Sequence, residues 1–315
     1  MKTLLVSLGL SAIAAFAGCN RNEPSSTGAA ASVDGKPTIA LVVKTLNNPF
    51  FIEMQQGAQE AADRLGVNLV VQAADREVDV ERQMQIIENL IERKVSVLCI
   101  APSGSREIVP VVVKANKAGI PVLIVDTRVD EKALTAAGGK TATFIGSDNF
   151  DGGKLAGMFI AEKLGGQGNV AVLEGIPGHE TGDARLSGFR EALAKAPGIQ
   201  IVASQPANWE RDQGFNVFQN ILQANPGVKA LFACNDLMAL GAAEAIAAAG
   251  KTGEIIVVGF DAQPEARAAI QKGAMAATVA QFSSRMGATA VELAHKLLSG
   301  ETIPTFVPVP IELVK

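Results

Sequence analysis

The chain has 315 residues, 48% of them hydrophobic and 19% charged, with a formal net charge of -4. That balance is too apolar for a disordered chain and lacks the basic excess of a nucleic-acid footprint, so a polyanionic partner is excluded. The three cysteines, Cys19, Cys99 and Cys234, lie far apart and give no disulfide framework, and Cys99 inside Val97-Leu98-Cys99-Ile100 reads as a small buried hydrophobe.

In chain order the first segment is a processing signal. Residues 1–18 combine an early Lys2, an apolar middle and small residues ahead of Cys19, the layout of an export signal. The stretch is shorter than the ~20 apolar residues that cross a bilayer. Phe16-Ala17-Gly18-Cys19 resembles a bacterial lipobox, which implies that residues 1–19 are a lipoprotein signal and that Cys19 carries a lipid anchor; a plain secretory signal is the alternative. Residues 20–36, rich in Ser, Ala, Gly and Pro and without periodicity, read as a flexible tether. No second long apolar stretch follows, which excludes a multi-span transporter.

From residue 38 onward, short β-rich runs alternate with helical patterns. Strands are expected over 38–43, 68–73, 95–101 and 121–126, and helices over 50–65, 80–94 and 106–118, the signature of βαβ units in a parallel sheet. The second half resumes the rhythm, with strands near 143–146, 169–174, 199–204, 230–233, 255–260 and 276–280 and helices such as 150–164 and 211–223. Uninterrupted apolar runs such as Ile255-Ile256-Val257-Val258 mean that helices cover both sheet faces. Roughly 280 residues follow the signal and tether, a length that favours two domains. The fold class is therefore α/β, with two Rossmann-like, doubly wound parallel-sheet lobes in series. The tail, 306–314, interrupted by Pro308 and Pro310, suits an edge strand or a crossing between lobes.

In open parallel sheets ligands bind beyond the carboxyl ends of the strands. Polar and aromatic residues recur at those places: Asn48, Phe50 and Phe51 after the first strand, Asp126, Thr127 and Arg128 after the fourth, then Asn235, Phe260 with Asp261, and Gln281. Trp209, the one tryptophan, follows the 199–204 strand. Taken singly, a strand-end Asp or Asn is as readily a helix cap, and an aromatic as readily core. Taken together they suit a neutral polyol. Carboxylates accept from its hydroxyls, guanidinium groups donate to them, amides do either, and aromatic faces cover its C–H surface.

Ile39-Ala40-Leu41-Val42-Val43 with Leu46-Asn47-Asn48-Pro49-Phe50-Phe51, Ser204-Gln205-Pro206-Ala207, the run from Asn235 to Ala242, Val257 to Asp261, and Thr278 to Gln281 resemble, in order, segments of the periplasmic sugar-binding proteins of ABC transporters, the ribose-binding branch above all. The resemblance covers the whole mature chain. It implies two lobes joined by three crossings, near 146–148, 281–283 and 306–308, that close on a monosaccharide. The implied lobes are 37–147 with 282–307 and 148–281 with 308–315. It places Asn48, Phe50, Phe51, Asp126, Trp209, Asn235, Phe260, Asp261 and Gln281 on ligand positions. The ribose-binding branch has an arginine directly after the Asp126 position, where this chain has Thr127 and then Arg128. An ungapped comparison puts Asp183 where a ligand arginine is expected, while Gly178-His179 followed by Arg185 resembles the glucose/galactose-binding relatives and favours Arg185. These differences, with Trp209 in place of a phenylalanine, favour a hexose or cyclic polyol over ribose. The partners implied are that ligand and a membrane ABC permease, for a monomeric protein outside the cytoplasm; a sugar sensor that docks on a membrane receptor is the alternative.

Signals for catalysis are weak. Gly139-Lys140-Thr141 and Gly250-Lys251-Thr252 imitate the end of a P-loop, but Leu134 and Ala245 stand where its leading glycine is required. His179-Glu180 has no second histidine at zinc-protease spacing, and no Ser/His/Asp or Cys/His set is visible. Neither an enzyme nor a cofactor is expected. The sugar-responsive repressors share the two-lobed fold but begin with a basic helix-turn-helix, a place taken here by the export signal.

Overall fold

The computed structural model describes residues 35–315, so the Cys19 signal and most of the tether lie outside the described residues. The strands are β1 (Thr38–Thr45), β2 (Asn68–Ala74), β3 (Val97–Ile100), β4 (Val122–Val125), β5 (Thr143–Gly146), β6 (Gln167–Glu174), β7 (Gly198–Pro206), β8 (Val228–Ala233), β9 (Ile256–Asp261), β10 (Ala277–Ala280), β11 (Phe306–Pro308) and β12 (Glu312–Val314). Between them run α1 (Pro49–Leu65), α2 (Val80–Glu92), α3 (Val109–Lys117), α4 (Glu131–Ala136), α5 (Asn149–Lys163), α6 (Glu180–Leu193), α7 (Arg211–Ala224), α8 (Asp236–Ala248), α9 (Pro264–Gln271) and α10 (Ser283–Leu298).

The strands form two six-stranded sheets, ordered β11-β5-β4-β3-β1-β2 and β12-β10-β9-β8-β6-β7. All pairings are parallel except β10 with β12. In each sheet the order turns back at the first strand of the set, β1 or β6, which is the arrangement that opens a crevice at the carboxyl ends. The strand at 143–146, which opens the second half when read along the chain, belongs to the first sheet, where Leu123, Ile124 and Val125 pair with Thr143, Phe144 and Ile145. The tail, expected as an edge strand or a crossing, starts with edge strand β11 at 306–308, and the chain passes to the second sheet just after it.

Local chemistry accounts for the elements. Ile39 to Val43 are fully buried, because apolar helices cover both faces of β1. One face of the first sheet packs on Met54 and Ala58 of α1 and Met286 and Ala290 of α10, and the other on Ile87 of α2 and Val112 of α3. Helix α1 is bounded by its own residues: the Asn48 side chain accepts from the Phe50 N–H, Pro49 fills the first turn, and Gly66 ends the helix with φ 67°. Helix α3 starts at Val109 rather than 106, with Pro110 in its first turn. Because α10 packs on α1, the chain returns to the first lobe after β10. The two P-loop imitations lie at helix ends, beside turns in which Gly138 and Gly250 take φ values of 70° and 71°. Among the described residues no helix is long and apolar enough to cross a membrane.

Candidate functional site

The carboxyl ends of the two sheets face one another across a narrow cavity lined from both sides. The first lobe contributes Lys44, Asn48, Phe50, Phe51, Glu77 and Asp126 to its lining. The second contributes Thr181, Arg185, Trp209, Asn235 and Asp261, with Gln281 at the passage between β10 and α10.

On the first lobe Lys44 ends β1 with its Nζ 3.3 Å from Asp126 Oδ2 and 3.9 Å from Glu77 Oε2. Asn48 Nδ2 donates to Glu77 Oε1 at 2.9 Å while its Oδ1 caps α1, so the cap and the site use opposite ends of one amide. Asp126 sits just past β4 with φ 64°, a left-handed conformation that a non-glycine residue holds only under constraint. Thr127 Oγ1 donates to Asp126 Oδ2 at 2.8 Å. Phe50 and Phe51 meet edge to face, centroids 5.1 Å apart, and Lys44 Nζ lies 5.6 Å from the centre of the Phe51 ring.

On the second lobe Arg185 is held through its Nε and Nη1. Its Nε donates to Asn149 Oδ1 at 2.8 Å and its Nη1 to the Cys234 carbonyl at 2.7 Å, while Asp261 Oδ1 lies 3.8 Å away. The guanidinium lies over the Phe260 ring at 3.8 Å and faces Trp209 at 5.6 Å. Asp261, at φ 116°, receives Gln281 Nε2 at 2.6 Å. Asn235 caps α8 through its Oδ1 and gives Nδ2 to the Trp209 carbonyl at 3.1 Å. Trp209 fits because residue 175 is glycine: a Cβ there would sit 1.9 Å from the indole Cζ2.

Burial pushes the carboxyl groups of Glu77 and Asp261 above the usual range, against the pull of Lys44 on the first and Arg185 on the second. Behind the cavity wall, Asp236 is pushed up to about 7 by burial, although it accepts from Thr278 Oγ1 and the Gln263 N–H. Such a site offers largely buried charged acceptors and donors with aromatic faces beside them. It can hold hydroxyl groups tightly, since Lys44, Asp126, Arg185 and Asp261 supply charged partners beside the neutral amides.

Nine of the sequence candidates line the cavity: Asn48, Phe50, Phe51, Asp126, Arg185, Trp209, Asn235, Asp261 and Gln281. Four do not. Thr127 is buried behind Asp126, and Phe260 lies under Arg185 as its platform. Arg128 stacks on Phe144 and Phe306, 3.9 and 5.0 Å from their centres, because the tight turn at Asp126, closed by the Thr127 N–H on the Val125 carbonyl, carries the chain away. Asp183 is exposed on α6. Two residues along a helix turn through about 200°, so with Arg185 facing in, Asp183 faces out. Lys44, Glu77 and Thr181 have no place among the sequence candidates. Lys44 carried a readable signal, a cation closing an otherwise apolar buried strand; Glu77 and Thr181 carried none.

The lobes also touch each other directly. Gln263 Nε2 donates to Asn48 Oδ1 at 3.0 Å, the Glu180 N–H points to Ser105 Oγ at 3.4 Å, and Arg76 pairs with Glu210. Fold and cavity together define a two-lobed α/β binding protein whose lobes meet over a polar, aromatic-lined cavity. The chain belongs to the periplasmic binding protein family, whose domain model matches residues 39–302. It is 42% identical over 269 residues to the D-allose-binding periplasmic protein of Escherichia coli, covering 84% of this chain and 86% of that protein. With the ribose import binding protein of the same organism it shares 43% identity over 284 residues, 90% of this chain and 92% of that one. A periplasmic solute binding protein of an ABC transporter from Actinobacillus succinogenes, solved with bound D-allose, superposes with a TM-score of 0.85 at 44% identity, covering 89% and 98% of the two chains.

Proposed function

We propose that this chain is the capture component of a sugar ABC importer. It takes a neutral monosaccharide of the ribose–allose type into the cavity between its lobes, closes on it without chemistry, and presents it to a membrane permease. The observation that carries this reading is the cavity lining: each lobe brings one buried cation–carboxylate pair, Lys44 with Asp126 and Arg185 with Asp261, plus amides and aromatic faces. Separated lobes would present half of the partners each, so closure is favoured by the contacts the ligand makes only in the closed form.

The relatives support the ligand class, since those above are named for D-allose and ribose binding. D-Ribopyranose and D-allopyranose present the same hydroxyl configurations around the ring and differ by a hydroxymethyl group. A cyclic polyol is the neighbouring choice; a Bacillus halodurans relative at 31% identity was solved with myo-inositol. Import is favoured over receptor sensing because the ribose relative is named an import protein. The lipobox-like Phe16-Ala17-Gly18-Cys19 supports anchoring of a monomer through Cys19 on the outer side of a membrane.

Isothermal titration calorimetry with D-allose, D-ribose and myo-inositol tests the reading. At least one is expected to bind, and Asp261→Asn is expected to weaken it about a hundredfold or more, the loss of charged hydrogen bonds. Absence of heat with all three sugars would overturn it.

A further inference from the structure

We infer that Arg76 and Glu210 form a latch on the solvent side of the cleft that sets how fast a bound ligand leaves. Arg76 Nε and Nη2 both donate to Glu210 Oε1, at 2.9 and 2.6 Å. The pair joins the lobes, Arg76 standing between β2 and α2 and Glu210 at the start of α7. Each partner is the chain neighbour of a cavity residue: Arg76 precedes Glu77, and Glu210 follows Trp209. Glu77 and Trp209 are buried, while the side chains of Arg76 and Glu210 are 55% and 25% exposed. The same two loops therefore hold the ligand wall on one side and the ion pair on the other, and the loops cannot part without breaking the pair.

Both partners are set in place before they meet. Glu210 Oε2 is taken by Gln213 Nε2, and Gln213 Oε1 is held by Asn208 Nδ2 at 2.7 Å, which leaves Oε1 free for the arginine. The carboxylate also stands at the N-terminus of α7, where the helix dipole favours negative charge. Arg76 is placed by its own N–H, which donates to Asp79 Oδ2 at 3.0 Å. Preorganisation of this kind lowers the side-chain ordering cost that makes most exposed pairs worth little. Asn208 and Trp209 hold left-handed conformations, φ 54° and 68°, so the loop has a fixed shape from the carboxylate back to the indole. Arg76 and Glu210 thus act as positioning residues, and they touch no ligand.

The inference rests on the proposed capture of a sugar only for the ligand used in the kinetic test. Trp209 is the sole tryptophan and lines the cavity, so its fluorescence reports occupancy directly. Stopped-flow dissociation of D-allose or D-ribose is expected to be about two- to fivefold faster in Arg76→Ala and in Glu210→Gln than in the wild type, with association little changed. Raising the salt towards 1 M should speed release from the wild type and leave Arg76→Ala nearly flat. The double variant Arg76→Ala with Glu210→Gln should release no faster than the faster of the two single changes, because either change alone already breaks the pair. Equal release rates in wild type and Arg76→Ala, or single effects that multiply in the double variant, would overturn the latch. The ligand-free protein supplies an independent readout: spin labels on the exposed helix positions Glu60→Cys and Gln219→Cys should show less of the short interlobe distance after Arg76→Ala, and an unchanged distribution would overturn the latch even if no tested sugar binds.

Discussion

Lys44 and Asp126 face each other at 3.3 Å, both side chains 4% exposed, although the strands that carry them are separated in the sheet by β3. Lys44 thereby supplies the positive charge that the family resemblance led one to seek in the residues after Asp126. Arg128, freed from that task, is spent on packing against Phe144 and Phe306. The same lysine stands within 3.9 Å of Glu77, so one ammonium compensates two buried carboxyl groups.

Removing that ammonium should therefore cost both stability and binding. Lys44→Met is expected to lower the unfolding free energy by about 3–5 kcal/mol, the usual result of leaving a buried charge uncompensated, and to remove sugar binding. The double change with Asp126→Asn should recover a large part of the stability without recovering affinity. Urea titration of the three proteins checks this, and an unaltered midpoint in Lys44→Met would show the pair to be energetically idle.

Asp236 gives stability a pH dependence of definite sign. Its folded value is raised to about 7 by burial, above the ordinary aspartate value of 3.8. Its contribution is fully present below the unfolded value and is lost as pH rises through the folded one. Across that window the folded state binds the extra proton, so this group makes stability fall with rising pH by at most about 1.4 kcal/mol per unit. Asp236→Asn should lose that slope, whatever constant offset comes from the changed hydrogen bonds to Thr278 and Gln263. Parallel stability curves for the two proteins between pH 4 and 7 would contradict the assignment.

His179 acts in the opposite direction, and on affinity. It is buried at the lobe contact, hydrogen-bonded to the Ser103 backbone, with its Nδ1 unpartnered. Burial first, then the nearby charge of Lys44, brings it down to about 3 in the closed form. A proton that the closed form refuses favours the open one, so sugar affinity should fall as pH drops through the ordinary histidine value of ~6.5. The His179→Gln protein should show a weaker fall in calorimetry at pH 7 and pH 5; an equal fall would place the proton elsewhere.

Gly175 is the residue that admits Trp209. A methyl group there would overlap the indole at 1.9 Å, and the fixed loop geometry at Asn208 and Trp209 leaves the ring little room to retreat. Gly175→Ala should weaken sugar binding roughly tenfold or more, the scale of overpacking a tight site. The Trp209 emission maximum should move to the red as the ring is pushed towards water. Wild-type affinity together with an unshifted spectrum would mean that the backbone yields instead.

Much of the architecture is legible along the chain because its elements carry local signals. Apolar runs such as Ile39 to Val43 declare strands buried on both faces, and Asn48 followed by Pro49 marks the start of α1. The strand-end rule then brings Asn48, Asp126, Asn235 and Asp261 under suspicion, and the cavity collects all four. The strand at Thr143–Gly146 escapes this kind of reading, since a βα rhythm repeats identically whichever sheet a strand enters. Glu77 escapes it too: a carboxylate in a polar loop looks the same from the sequence whether it faces solvent or Lys44.

What the amino-acid order determined alone is the alternation of strand and helix and the set of polar side chains placed at strand ends, because these depend on periodicity and on neighbours a few residues apart. Tertiary structure decided which of those side chains meet. The turn at Asp126 sends Arg128 outward, the helical period of α6 turns Asp183 away from the side Arg185 serves, and Lys44 reaches Asp126 past an intervening strand. Direction and pairing across tens or hundreds of residues follow from how the sheets and lobes pack, and no local spacing encodes them.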